Sequence, residues 1–145
     1  MNILFMCVAN SARSQLAEGL ARHIFGDGAV IESAGSHPGA LNPIAVKVMR
    51  EIGIDISRHW SKSVGELSPH FVDKLDYVIT LCVEEVCPVM ASKAKKLHWP
   101  LKDPAGEGSD EDLLRRFRET RDQISAQLLA FQSLAEANAP RAPKS

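Results

Sequence analysis

The 145-residue chain has no apolar stretch of membrane-spanning length, almost no net charge (-1) and three cysteines. The first absence excludes a helix that crosses a bilayer. The second leaves no electrostatic footprint for nucleic acid or for an acidic membrane surface. The third, an odd and small number, excludes a disulfide framework, so the thiols are either buried or reactive. The apolar run Ile3-Leu4-Phe5-Met6 lacks a basic leader and a small-residue cleavage site. It therefore reads as a strand rather than an export signal, and a cytoplasmic, monomeric protein is expected. Internal repeats and interdomain linkers are missing too. The histidines His23, His37, His59, His70 and His98 show no metal-ligand spacing with the cysteines, and are expected at the surface or as caps. Trp60 and Trp99 are expected to be packing residues.

What is present suffices for one domain. A 45% hydrophobic content over this length supports a real core. The domain is expected over residues 1–138, with 139–145 as a frayed tail. Strand and helix signals alternate along it. Strand 1 leads into a helix from about Ser14 to Phe25, and Ala29 to Gly35 is a second strand. Asn42-Pro43 supplies an N-cap and a first-turn proline for helix 2. Residues 55–69 are polar and irregular, with room for a short helix. Asp76 to Cys82 is the third strand and Lys96 to Trp99 a short fourth. Ser109 with Asp112 forms a capping box for a last helix, whose buried stripe is Leu113, Phe117, Ile124, Leu128 and Phe131. This order predicts an α/β fold: a small four-stranded parallel sheet with helices on both faces. Ligands of such sheets sit beyond the carboxyl ends of the strands, where Cys7, Cys82 and the loop after Trp99 all fall.

The most informative segment is Cys7-Val8-Ala9-Asn10-Ser11-Ala12-Arg13-Ser14. A cysteine ends a buried strand, and five residues later Arg-Ser opens a helix. Backbone N–H groups of Val8, Ala9, Asn10, Ser11 and Ala12 converge in such a loop, and the helix dipole adds positive potential. A thiol held there ionises more easily, because the same donors stabilise its anion. The fork of Arg13 suits bidentate binding of a tetraoxyanion. The Ser14 hydroxyl is placed to hydrogen-bond the thiolate and later help it leave. The competing reading is a core cysteine beside a capping serine, which the flanking strand and helix disfavour.

A second constellation is Trp99-Pro100-Leu101-Lys102-Asp103-Pro104-Ala105-Gly106. Taken alone, Asp103 is a turn carboxyl before proline. Folded over the cradle, it is a proton donor to an oxygen leaving the bound anion.

A cysteine loop near residue 7 with a distant Asp-Pro resembles the low-molecular-weight protein tyrosine phosphatase fold. The stretch from Cys7 to Gly19, the pair Cys82 and Cys87-Pro88, and His98-Trp99 followed by Asp103-Pro104-Ala105-Gly106 are similar to its arsenate reductase branch. Phosphatases of the fold usually carry aromatic residues after Asp-Pro, and none stands here. The resemblance implies arsenate as substrate, with phosphate or sulfate as analogues. It implies Cys7 as nucleophile, Arg13 and Ser14 as its partners, Asp103 as acid, and a Cys7-Cys82-Cys87 disulfide relay. No tightly bound cofactor is implied. Reducing equivalents come from thioredoxin, or from glutathione and glutaredoxin, since the relay cysteines lie closer together here than in thioredoxin-coupled members. Residues five apart on a helix are too distant for a disulfide, and Pro88 delays any helix, so Val83 to Val86 are expected to form a mobile loop or a turn that opens during turnover.

Asn10, Glu18 and Ser33 match positions that some relatives use to hold potassium or a hydrogen-bond network behind the loop. A further carboxylate of that site is replaced by Lys62, whose ammonium could take the ion's place; a solvated lysine is the alternative. Two rival functions stay open. One is a phosphatase acting on phosphate monoesters. The other is a non-catalytic oxyanion-binding or redox-sensing module.

Overall fold

A computed structural model of the chain describes residues 1–83 and 92–138. Four parallel strands, β1 (Asn2–Cys7), β2 (Val30–Gly35), β3 (Tyr77–Thr80) and β4 (Lys95–His98), form one sheet in the order β2-β1-β3-β4. Helix α1 spans Arg13–Phe25, α2 Pro43–Arg50, α3 Pro69–Asp73 and α4 Asp110–Asn138. Among the described residues, no helix is long and apolar enough to cross a membrane.

The period-two alternation of β1 divides the core. Ile3 and Phe5 face α1, α2 and α4, and join Leu16, Leu20, Met49, Phe117, Ile124 and Leu128. Leu4 and Met6 face the other side, where Leu67, Phe71 and Leu75 cover them. The expected stripe of α4 is therefore the buried one, and helices lie on both faces of the sheet. Asn42 caps α2, its Oδ1 accepting the Ile44 N–H at 2.8 Å. Ser109 and Asp112 cap α4 reciprocally.

Several expectations need correction. The third strand is shorter than Asp76 to Cys82, because its ladder ends at Thr80; Leu81 continues along Met6 through a single bond, N–H to O, of 2.9 Å. Trp99 does pack, edge-on to Phe131 and tilted against Phe5. Trp60 does not: it is 54% exposed. His59 is neither a surface nor a capping residue, as shown below. Of the expected mobile loop only Val83 lies within the described residues, and the expected tail lies outside them.

The position of the site follows from topology. From β1 the chain crosses to β2 on one side and later to β3 on the other. The crevice at such a reversal lies beyond the carboxyl end of β1, where Cys7 sits.

Candidate active site

Cys7 is buried and is a free thiol. The loop after it is turned inside out by outside donors. The carbonyls of Val8, Ala9 and Ser11 accept the backbone N–H groups of His37 (2.9 Å), Gly39 (3.0 Å) and Asn42 (3.0 Å). In a trans peptide the N–H of the next residue points the opposite way. The N–H groups of Ala9, Asn10 and Ala12 are thus directed away from the 37–42 segment and into the loop. At its end stands the N-terminus of α1, whose first turn carries the charge of Arg13. Arg13 is buried, and its Nη1 donates to the Leu101 carbonyl at 3.0 Å. Leu101 in turn donates its N–H to the Leu81 carbonyl at 2.9 Å. Arg13, the loop bearing Asp103 and the end of β3 are tied together in this way.

Asn10 takes the left-handed conformation, φ 50°, which its side chain stabilises. Its amide orientation is fixed chemically, because Oδ1 accepts the Lys62 backbone N–H at 3.0 Å. Its Nδ2 donates to Ser14 Oγ (2.7 Å) and Ser33 Oγ (2.9 Å). Ser33 donates onward to Glu18 Oε1 at 3.0 Å, and Ser14 Oγ lies 2.9 Å from Cys7 Sγ. A continuous polar chain thus runs from a buried carboxylate to the sulfur. Gly35 lets the loop lie this close to β2: a Cβ there would meet the Val8 oxygen at 2.5 Å and the Asn10 nitrogen at 2.9 Å.

Glu18 is surrounded by basic side chains. Lys62 Nζ lies 3.4 Å from its Oε1, and His59 Nδ1 and Arg22 Nη1 lie 2.9 and 3.6 Å from its Oε2. Burial alone would raise the Glu18 carboxyl. The hydrogen bond and charge of His59, with the charges of Lys62 and Arg22, outweigh it and hold the pKa at about 2. Lys62 and Arg22 also approach Glu32, at 3.5 and 3.7 Å, and Lys62 Nζ lies 5.5 Å from the centre of the Trp60 ring. Two carboxylates already face three basic side chains. The residues behind the loop therefore do not fit a further monovalent cation. Among the described residues, no group of three or more His, Cys, Asp or Glu could hold a metal.

Cys82 is fully buried just past β3 and is disulfide-bonded. The register that pairs Met6 with Thr80 places it beside the end of β1. Cys87 lies outside the described residues. Asp103 is exposed, and its Oδ1 accepts the Ala105 N–H at 3.0 Å, closing a turn.

The family pattern described as low molecular weight phosphotyrosine protein phosphatase matches residues 2–139. The chain belongs to that family. An arsenate reductase of Halalkalibacterium halodurans is 42% identical over 132 residues, covering 89% of this chain and 93% of that protein. A structure of an arsenate reductase in the phosphate-binding state superposes with a TM-score of 0.77 at 29% identity, covering 92% of this chain and 98% of that one. A thioredoxin-dependent arsenate reductase of Corynebacterium glutamicum gives a TM-score of 0.72 at 29% identity. That match covers 94% of this chain, which spans 62% of the length of the other.

Sequence reasoning missed Gln15, His59, Ser61 and Glu32. Gln15 did carry a signal. Every residue from Arg13 to Ala21 is buried, so a polar residue in that run must have partners. His59, Ser61 and Glu32 gave none, because an irregular segment and an edge strand carry no periodicity to read.

Proposed function

We propose that this protein reduces arsenate to arsenite with thiol electrons. The observation that carries the reading is Cys82, buried and disulfide-bonded at the end of the strand beside the one that delivers Cys7. A hydrolase ends its covalent intermediate with water and has no use for a second redox thiol there.

The Cys7 thiolate attacks arsenic, and Asp103 protonates the departing oxygen, which leaves as water. The Cys82 thiolate then attacks the Cys7 sulfur. The As–S bonding pair stays on arsenic, arsenite departs, and a Cys7–Cys82 disulfide remains. Cys87 displaces Cys7 from that disulfide, and an external dithiol reduces the resulting Cys82–Cys87 bond. Two thiols are oxidised for each arsenate reduced. Arg13 and the N–H groups of residues 8–12 hold the oxyanion, and Ser14 steadies the thiolate when it leaves. Behind the loop, Lys62 takes the part of a resident cation, so the protein needs no potassium at Asn10, Glu18 and Ser33.

Thioredoxin is the donor we favour, supported by the thioredoxin-dependent relative; glutathione with glutaredoxin is the alternative. The protein works as a cytoplasmic monomer. The phosphatase reading has one observation in its favour, a cradle whose chemistry does not separate phosphate from arsenate. The pair Cys82→Ser and Cys87→Ser decides between them. Arsenite production should disappear while aryl phosphate hydrolysis persists. Arsenite production at the unmodified rate would overturn the proposal. Comparing arsenite release driven by thioredoxin with thioredoxin reductase, and by glutathione with glutaredoxin, identifies the donor.

A further inference from the structure

The loop's carbonyls are not all held in the same way. Those of Val8, Ala9, Ser11 and Ala12 accept backbone N–H groups, from His37, Gly39, Asn42 and Leu16. The Asn10 carbonyl instead takes two side-chain donors, Gln15 Nε2 at 3.1 Å and Ser61 Oγ at 2.7 Å. Gln15 is fully buried, and the same Nε2 also reaches Asn10 Oδ1 at 3.1 Å and the Trp60 carbonyl at 3.0 Å. Its Oε1 lies 3.0 Å from His59 Nδ1, which also faces the Glu18 carboxylate. The Glu18 carboxylate can only accept, so Nδ1 carries the proton and the Gln15 atom facing it is the oxygen. The Gln15 amide is thereby fixed with its NH₂ towards Asn10.

The Asn10 carbonyl shares its peptide plane with the Ser11 N–H, which points the other way. Holding the oxygen outward aims that N–H into the cradle. Among the described residues Asn10 is also the non-glycine residue with positive φ, a costly conformation that persists only where its surroundings hold it. A turned peptide would present a carbonyl oxygen to the anion in place of a donor. From this geometry we infer that Gln15 and Ser61 are positioning residues that lock the Asn10–Ser11 peptide with its N–H towards the bound oxyanion. They touch neither the sulfur nor the substrate, and act through one peptide plane. The inference rests on the reading of residues 7–14 as an oxyanion cradle.

Titration of the reduced full-length protein with inorganic phosphate tests it. One neutral hydrogen bond corresponds to about two- to twelvefold in an equilibrium constant. Ser61→Ala should raise the phosphate Kd by about three- to tenfold, and Ser61→Thr, which keeps the hydroxyl, should restore it. Adding Gln15→Met to Ser61→Ala should weaken binding by at least a further factor of about three. In turnover, KM for arsenate should rise more than kcat falls, a split that general loosening of the fold would not give. A folded double variant that binds phosphate within about twofold of the unmodified protein would overturn the inference, as would Ser61→Thr behaving like Ser61→Ala. If the double variant does not fold, the two Ser61 variants decide alone. If the unmodified protein binds no phosphate, the cradle reading fails and takes the inference with it. Binding that the variants leave unchanged defeats the inference alone.

Discussion

Ser14 Oγ lies 2.9 Å from Cys7 Sγ and receives an N–H from Asn10 at 2.7 Å. The direction of that second bond is set far from the sulfur. The Lys62 backbone N–H can only donate, so the Asn10 oxygen faces it and the Asn10 nitrogen faces the two serines. A Ser14 oxygen that already accepts has its own proton to give, and a thiolate can only accept. The network therefore aims the Ser14 hydroxyl proton at the Cys7 sulfur.

Ser14→Ala removes that donor at little steric cost. A hydrogen bond to a charged group contributes about 1.5–3 kcal/mol. Alkylation of Cys7 by iodoacetamide at pH 7 should slow by at least about tenfold, with thermal stability little changed. A rate equal to that of the unmodified protein would show that Ser14 merely fills space.

The depressed Glu18 carboxyl makes a signed prediction about acid. Its pKa falls from 4.5 to about 2 on folding, so between those values the unfolded chain binds the extra proton. The contribution is complete above about pH 4.5 and is lost as pH falls towards 2. Its size is on the order of 3 kcal/mol. At pH 7, Glu18→Gln should unfold at a lower urea concentration than the unmodified protein. The gap should narrow steadily from pH 5 to pH 2.5. A gap of constant width would mean that the carboxylate charge contributes nothing, and that only the shape of the side chain matters.

How much of this could be read beforehand depended on whether a residue's role was local. The alternation in β1, the Asn42-Pro43 start of α2, the stripe of α4 and the spacing from Cys7 to Arg13 are all set by neighbours in sequence, and each was legible. Gly35 was seen only as the end of a strand. Its real constraint is the Val8 oxygen from a loop 27 positions earlier, an approach no local pattern encodes. His59 looked like a surface histidine because nothing within residues 55–62 tells that the segment folds back onto Glu18. Long-range polar pairs between irregular segments carry no period, and these are the pairs that finish the site.

Lys62 gives a test by exchange of one cation for another. With its ammonium between Glu18 and Glu32, the unmodified protein should reduce arsenate equally fast in sodium and in potassium. Lys62→Asp removes the ammonium and leaves three carboxylates facing two basic side chains, Arg22 and His59, so the balance of charge then favours a further cation. Potassium should then raise the melting temperature and activity of the variant more than sodium does. Strong potassium activation of the unmodified protein would defeat the idea that lysine has taken the ion's place.

Asp103 separates a turn from an acid in one substitution. Its Oδ1 accepts the Ala105 N–H at 3.0 Å, which an asparagine oxygen can do equally well, so Asp103→Asn should leave the loop and the melting temperature intact. Two residues earlier the Leu101 carbonyl is anchored on Arg13, so the loop keeps its place beside that side chain whatever residue 103 is. Phosphate affinity should therefore be nearly unchanged. What asparagine cannot do is supply a proton to the oxygen that leaves arsenic. General acid assistance is typically about 10²–10⁴-fold, and single-turnover arsenite formation should fall by that factor. An intact rate would return Asp103 to the role of a turn residue and oblige the departing oxygen to take its proton from water.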